Sequence, residues 1–217
     1  MEVALQGIPL RLHPSGAVYW PHMQSLLLAD LHLGKESVFQ QAGFAIPSGA
    51  SEATLDSLQT LVRDFSPKRV IVLGDLLHAK VGLTPWLEKQ LVRMTGDDAG
   101  PEWILVPGNH DRGGVQALQR CGWRIREDRM QEQGVELIHA ADAVKSTVSL
   151  TISGHIHPSI RIRLNQRENA TLRCFWLHGS RFILPAFGGW TGTKSITPTR
   201  GDRVFACLEG EVIEIAV

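Results

Sequence analysis

Polar side chains that can bind metal ions or move protons follow five apolar segments of the sequence. Each apolar segment is typical of a buried strand, and the polar residues stand at or just past its end. They are Asp30 and His32 in SLLLADLHL, Asp75 and His78 in VIVLGDLLH, Asn109, His110 and Asp111 in ILVPGNHD, His139 in VELIHA, and His155 and His157 in TISGHIH. Ligands of open α/β sheets bind beyond the carboxyl ends of the strands. The pattern therefore predicts a functional site at that edge.

The residue types favour a centre for two divalent metal ions. In an extended segment Asp30 and His32 project to the same side and can reach one ion, and His155 and His157 share this spacing. Single ligands complete the set, namely Asp75, Asn109 and His139. Imidazole mixed with carboxylate suits manganese, iron or zinc better than magnesium, which prefers oxygen ligands and water.

Two patterns of elements must position these residues. Strands over 25–31, 70–74 and 102–108 alternate with helices over 49–65, from Thr84-Pro85 onward, and over 115–122, which indicates crossover units and a largely parallel sheet. From about residue 135 the chain is a succession of strand-like runs separated by turn residues. We predict one domain over residues 1–217, with two packed sheets, helices outside them and no separate capping domain.

Composition excludes several classes of protein. Twenty-two basic and 22 acidic residues give a net charge of zero, so the overall charge does not favour a nucleic-acid ligand. Three scattered cysteines indicate reduced thiols and no disulfide framework. Neither a signal peptide nor an apolar run long enough for a membrane is visible. We expect a soluble cytoplasmic protein, and a monomer by default.

The ordered motifs DLH, GD, GNHD, a single His and GHIH resemble those of the calcineurin-like binuclear metallophosphoesterase superfamily. The resemblance runs from Asp30 to His157 and implies an α/β fold, a four-layer αββα sandwich of two mixed β-sheets flanked by helices. It also implies the ligands of each ion. The first ion would be bound by Asp30, His32, Asp75 and His157, and the second by Asp75, as the bridging ligand, with Asn109, His139 and His155.

A two-metal hydrolysis follows from that resemblance. A water bridging ions held about 3.5–4 Å apart has a lowered pKa and attacks phosphorus in line. His110 is not needed as a ligand, so we assign it to transition-state stabilisation or to protonation of the leaving oxygen, with Asp111 as its orienting partner. The alternative for Asp111 is the N-cap of the following helix.

Further motifs bear on the substrate. GDLLH is similar to nucleases of double-strand-break repair, where the His equivalent to His78 belongs to the active site. ADLHLGKE, the segment FAIP at 44–47 and the later PAFGGWTGTKS resemble the DNA-ligase-associated metallophosphoesterases, bacterial proteins encoded with a DNA ligase and a helicase. This implies a manganese-dependent phosphodiesterase that cleaves DNA, a single-strand endonuclease in DNA repair. Iron, zinc, cobalt and nickel are the alternative metals.

Charge distribution suggests where DNA would bind. Residues 158–203 carry eight basic residues against Glu168 and Asp202. Such a stretch can follow a phosphate backbone, with Arg161, Arg163 and Lys194 as contacts, and Lys35 is a further candidate. The alternative for Arg161 and Arg163 is the solvated face of a strand. Trp190 could stack a base if exposed, although a packed tryptophan is commoner.

Two other functions compete with the nuclease. One is a small-molecule or nucleotide phosphodiesterase, or a phosphatase, with the same fold, because loops set specificity. The other is a non-catalytic binding scaffold that retains the sandwich.

Overall fold

The computed structural model describes residues 1–140, 148–163 and 168–217, whose strands form two β-sheets. The first sheet contains β1 (Glu2–Leu5), β2 (Ile8–Leu12), β3 (Val18–Trp20), β4 (Ser25–Leu28), β5 (Arg69–Leu73), β6 (Glu102–Val106) and β7 (Arg124–Ile125). The second contains β8 (Arg129–Glu132), β9 (Val135–Ile138), β10 (Leu150–Ser153), β11 (Pro158–Arg163), β12 (Asn169–His178), β13 (Arg181–Ile183), β14 (Lys194–Ser195), β15 (Arg203–Cys207) and β16 (Val212–Ile215). The described helices are α1 (Lys35–Gln41), α2 (Ala50–Phe65), α3 (Pro85–Thr95) and α4 (Val115–Arg120).

The first sheet is built in sequence order from β1 to β7. Strands β1 to β4 form an antiparallel meander, and β4 to β7 run parallel. Parallel neighbours need crossovers, which the helices supply. The helix predicted at Thr84-Pro85 begins there, because the Thr84 hydroxyl accepts a hydrogen bond from the Leu87 N–H at 3.3 Å.

The second sheet is mixed, with β9, β10 and β13 running parallel and β14 parallel to β11. Its strand order is β14-β11-β12-β13-β10-β9-β8, and β15 pairs with β12 and β16. Residues 164–167, with Arg167 and the end of one predicted strand, lie outside the described residues, as do 146 and 147 at the start of another.

Buried apolar side chains hold the two sheets against each other and the helices against the first sheet. One buried cluster joins inward residues of the first sheet, such as Ile71 and Ile104, to Phe175, Phe182 and Phe205 of the second. Another packs Leu58 and Leu91 of the helices against the opposite face of the first sheet. The two mixed sheets and their flanking helices confirm the predicted α/β sandwich. Across the described residues, all four α-helices connect strands of the first sheet.

The sequence interpretation missed the first three strands and placed some strand ends too late. Strand β4 ends at Leu28, before the predicted end at residue 31, and β6 ends at Val106, before residue 108. Each early end leaves loop residues at the carboxyl edge of the sheet. Within the part of the chain that the structure describes, no helix is both long and apolar enough to span a lipid bilayer.

Candidate metal centre

The predicted ligands meet where the carboxyl ends of parallel strands from both sheets come together. In the first sheet they follow β4, β5 and β6, and in the second they follow β9 and β10. The loops after β4 and β5 are joined by backbone hydrogen bonds, from Asp30 N to Gly74 O at 3.0 Å and from His32 N to Asp75 O at 2.9 Å. The site therefore lies between two sheets that each supply part of it.

One group of side chains with metal-ligand spacing contains Asp30, His32 and His157. The Nε2 of His157 lies 3.2 Å from Asp30 Oδ1 and 3.5 Å from His32 Nε2. Asp30 and His32 are buried, and His157 is half-buried. This group contains three of the four ligands that the resemblance implies for the first ion, the fourth being Asp75.

A second group contains Asp75, His139 and His155, with Asn109 beside it. The Nε2 of His139 is 3.0 Å from His155 Nδ1, 3.1 Å from Asn109 Oδ1 and 3.4 Å from Asp75 Oδ2. Asp75 also approaches the first group, since its Oδ2 is 3.9 Å from His32 Nε2. It therefore occupies the position that a bridging ligand requires.

Five of these residues have left-handed backbone conformations. Their φ angles are 57° at Asp30, 48° at His32, 51° at Asp75, 71° at His155 and 52° at His157. The expectation of an extended segment at Asp30 and His32, and at His155 and His157, is therefore wrong. Because the chain turns at each residue, His155 and His157 are divided between the two groups. Each such conformation costs about 1–3 kcal/mol and persists where the surroundings enforce it, which is common at functional sites.

Two glycines allow the ligands to approach the backbone closely. A Cβ on Gly154 would lie 2.5 Å from Asp30 Oδ2, and a Cβ on Gly74 would overlap the His139 ring. A larger residue at either position would displace a candidate ligand. The glycines of the motifs thus provide space for side chains as well as tight turns.

Hydrogen bonds on the outer side of two imidazoles indicate that the site is built for cations. The Nδ1 of His157 lies 3.0 Å from the Gly192 carbonyl, and that of His139 lies 3.0 Å from the Leu73 carbonyl, so each Nδ1 carries the proton and donates. In the neutral rings both Nε2 atoms then direct lone pairs at carboxylate oxygens. Asp30 Oδ1 is buried and accepts no hydrogen bond from any described residue. Such facing lone pairs repel one another unless a cation lies between them, so the residues fit two metal ions.

The electrostatics of these side chains point the same way. Burial lowers the pKa of His139, but its hydrogen bond with Asp75 and the charges of Asp75 and Asp30 outweigh burial, so the net shift is upward. His157 behaves similarly, with Asp30 opposing burial. By contrast, burial together with the neighbouring histidines lowers the pKa of His32 to about 3. The carboxylates therefore favour the protonated forms of His139 and His157, as they would favour a bound cation.

Two predicted active-site residues, His78 and His110, lie beside the first group. His110 Nδ1 is 2.6 Å from the His78 carbonyl, so this nitrogen donates, and Nε2 has no hydrogen-bond partner among the described residues. The His78 ring stacks between those of His110 and Phe39, and its Nδ1 lies 3.4 Å from His32 Nδ1. His32, His78 and His110 also form a third group with metal-ligand spacing.

Asp111 has a different role from the one expected. Its carboxylate is buried and accepts hydrogen bonds from the Leu77 N–H and the Gly108 N–H, both at 2.9 Å. The hydrogen bond of the His110 ring goes to His78, and the residue capping α4 is Gly114. Burial raises the pKa of Asp111 to about 6, although these backbone donors favour its charged form. Asp111 therefore joins the loops that follow β5 and β6.

The four basic residues predicted to contact phosphate lie at different distances from the two groups of candidate metal ligands. Lys35 donates to the Trp190 carbonyl at 3.0 Å, and the Lys194 N–H donates to the His157 carbonyl at 2.9 Å. Arg161 and Arg163 are exposed on β11, about 10 and 17 Å along the strand from its start at Pro158. Only the first two are adjacent to the candidate ligands.

Sequence reasoning missed two basic residues near the second group, Arg112 and Arg129. A cavity of about 470 Å³ opens there, and its lining includes Asn109, His139, His155, Arg112 and Arg129. Arg112 stands directly after the GNHD motif, and that adjacency was the available signal. Asp128 also lines the cavity and Arg129 is paired with Glu136 at 3.3 Å, so Arg112 supplies the positive charge at this opening.

Comparisons with known proteins identify the family of the chain. A family model described as calcineurin-like phosphoesterase matches residues 23–139. The crystal structure of a Pseudomonas putida nuclease, MPE, is 27% identical, with a TM-score of 0.83 over 98% of this chain and 99% of that one. A second structure, the E. coli phosphoesterase Yfce, is 15% identical, with a TM-score of 0.47 over 88% of this chain and 98% of that one. No curated protein sequence matches the chain. Since the family model spans more than half of the residues, the chain belongs to the calcineurin-like phosphoesterase family.

Proposed function

We propose that this protein is a manganese-dependent DNA phosphodiesterase, a cytoplasmic single-strand endonuclease that acts in DNA repair together with a DNA ligase and a helicase. The observation that carries the proposal is the similarity to a nuclease along nearly the whole of both chains. The two ligand groups and the basic residues beside them support the same conclusion. The ligand set is Asp30, His32, Asp75 and His157 for one ion, and Asp75, Asn109, His139 and His155 for the other.

Two bound ions would supply a nucleophilic hydroxide and positive charge for the phosphoryl oxygens. The residues around them provide the rest of the chemistry. Because Nδ1 of His110 is occupied by the His78 carbonyl, its Nε2 is oriented to meet the leaving oxygen and exchange a proton with it. His78 accepts the Nδ1 proton of His32 and so fixes which nitrogen of His32 binds metal. Asp111 acts at a distance by holding the loops that carry Asp75 and Asn109.

Substrate recognition rests on the basic residues nearest these groups. Lys35 and Lys194 lie on the side of His157, and Arg112 lies on the side of His155. A DNA strand between them would meet positive charge on both sides of the candidate metal centre. Arg161 and Arg163 would contact only a longer strand.

The test is incubation of the protein with circular single-stranded DNA and Mn²⁺. A circle has no ends, so its nicking reports endonuclease activity alone. We expect wild-type protein to linearise the circle and Asp75→Ala and His110→Ala to lose this activity. The matched control is His22→Ala, which removes an exposed histidine outside the site and should cleave like wild type.

Two outcomes would contradict the proposal. An intact circle, together with metal-dependent hydrolysis of an aryl phosphodiester, would overturn the DNA substrate and favour a phosphodiesterase for small molecules or nucleotides. Cleavage by His110→Ala at the wild-type rate would remove His110 from the chemistry.

A further inference from the structure

The glycine-rich loop of residues 188–193 is bonded at both ends to candidate metal ligands. The Gly188 N–H donates to the Asp30 carbonyl at 3.2 Å, and the Gly192 carbonyl accepts from His157 Nδ1 at 3.0 Å. Trp190 stands midway, two residues from each end, so its Cα lies within about 8 Å of chain from either anchor. The loop is therefore a fixed rim of the site.

Trp190 itself presents its ring to solvent. The residue is 48% exposed, although tryptophan usually buries most of its surface. Its carbonyl is held by the Lys35 ammonium, so the backbone that carries the ring is tied to α1. An exposed aromatic ring on a fixed backbone, next to a positive charge, is the arrangement on which nucleobases stack.

A cavity of about 550 Å³ adjoins this ring. Arg173 lines it, and the Arg173 guanidinium is oriented by donating to the Ala186 carbonyl at 2.9 Å. The lining also carries the hydroxyls of Ser15, Ser48, Thr54 and Ser57, and among the described residues around it there is no carboxylate. One cation, several hydroxyls and an aromatic ring suit an anionic ligand with a flat apolar part.

We propose that Trp190 stacks a nucleobase of the DNA strand and that the cavity receives the same nucleotide, with Arg173 facing its phosphate. The subsite rests on the proposed DNA substrate and names how one nucleotide of it is held. Because the loop is anchored on Asp30 and His157, a base stacked on Trp190 would fix the register of the strand over the metal centre. The stacking would not depend on base identity, since every base has a π face.

The test measures KM with Mn²⁺ for two single-stranded oligonucleotides of equal length, an oligothymidylate and a fully abasic strand. For wild type we expect the abasic strand to raise KM about tenfold, since loss of one stacked base is of this order. Trp190→Leu should raise KM about tenfold for oligothymidylate and have no further effect on the abasic strand. Trp190→Phe should recover most of the loss, and Arg173→Gln should raise KM for both strands because both retain phosphates.

The matched control is Trp86→Leu, which removes a tryptophan that is similarly exposed (43%) and does not line the cavity. This variant should have the KM of wild type for both strands. If Trp190→Leu raised KM equally for both strands, the stacking proposal would be overturned, and the ring would have only a structural role. Failure of wild-type protein to cleave either strand would instead contradict the proposed function. The two failures are thus distinguishable.

Discussion

Replacement of Gly74 by alanine is the sharpest test of how this site is held. Gly74 has φ 79°, and a Cβ there would lie 2.7 Å from His139 Cβ and overlap the ring. Gly134 offers a matched control, because its φ is 77° and a Cβ there would meet no heavy atom within 4 Å. The two substitutions therefore share the backbone strain and differ only in the clash with His139.

The expected magnitudes follow from that difference. A left-handed conformation costs an alanine about 1–2 kcal/mol, so Gly134→Ala should lower the free energy of unfolding by about 1 kcal/mol. The clash adds an overpacking cost of about 1–3 kcal/mol, so Gly74→Ala should lose about 3 kcal/mol. Displacement of His139 should also weaken Mn²⁺ binding by about 10- to 100-fold, the usual effect of disturbing the support of a ligand.

Urea unfolding with chelator present measures the first quantity, and calorimetric titration of the metal-free protein with Mn²⁺ measures the second. We expect Gly134→Ala to bind Mn²⁺ like wild type. If both variants lost the same stability and kept the same Mn²⁺ affinity, the reasoning about the close approach of His139 to Gly74 would be refuted.

Three further predictions concern the supporting residues and the ions. Asp111→Asn should lower the free energy of unfolding by about 2 kcal/mol, because asparagine retains one acceptor oxygen for two buried N–H donors. The control, Asp56→Asn, changes an exposed residue of α2 and should have no such effect. Equal urea midpoints for the two variants would contradict this prediction. His78→Phe should keep a stacked ring but weaken Mn²⁺ binding about tenfold, because His32 loses the acceptor of its Nδ1 proton. A calorimetric titration that shows wild-type Mn²⁺ affinity would refute this prediction. Mn²⁺ at about 100 times its Kd should raise the free energy of unfolding by about 2.7 kcal/mol, reversibly with chelator, whereas a melting temperature independent of Mn²⁺ would argue against a metal centre.

Much of the candidate site could be predicted because its signals are local. Each ligand stands just past an apolar run, and parallel strands bring such positions to one edge whatever the rest of the fold. The helix predicted over 49–65 corresponds to α2 for the same kind of reason, since its apolar face repeats with the helical period.

Other features depend on tertiary contacts that a pattern of residue types does not contain. The separation of His155 from His157 depends on positive φ angles, which alternation in an extended strand cannot indicate. The β1–β2 hairpin turns through Gln6 and Gly7, both with positive φ, but Gln-Gly is a weaker turn signal than Asn-Gly. Asp111 bonds to the backbone of residue 77, 34 positions away along the chain, and no spacing rule gives that contact.

The division of the ligands between two sheets has a consequence for how the protein matures during synthesis. The first sheet and its helices are complete by Ile125, but neither group of ligands is. Each group needs one histidine from the loop after β10, namely His157 for the first and His155 for the second. Translation must therefore pass residue 157, and the second sheet must dock, before either ion finds its full set of ligands. Metal uptake by these candidate ligands would then come late in folding and act as a check on it, because a chain whose sheets have docked wrongly cannot complete either group.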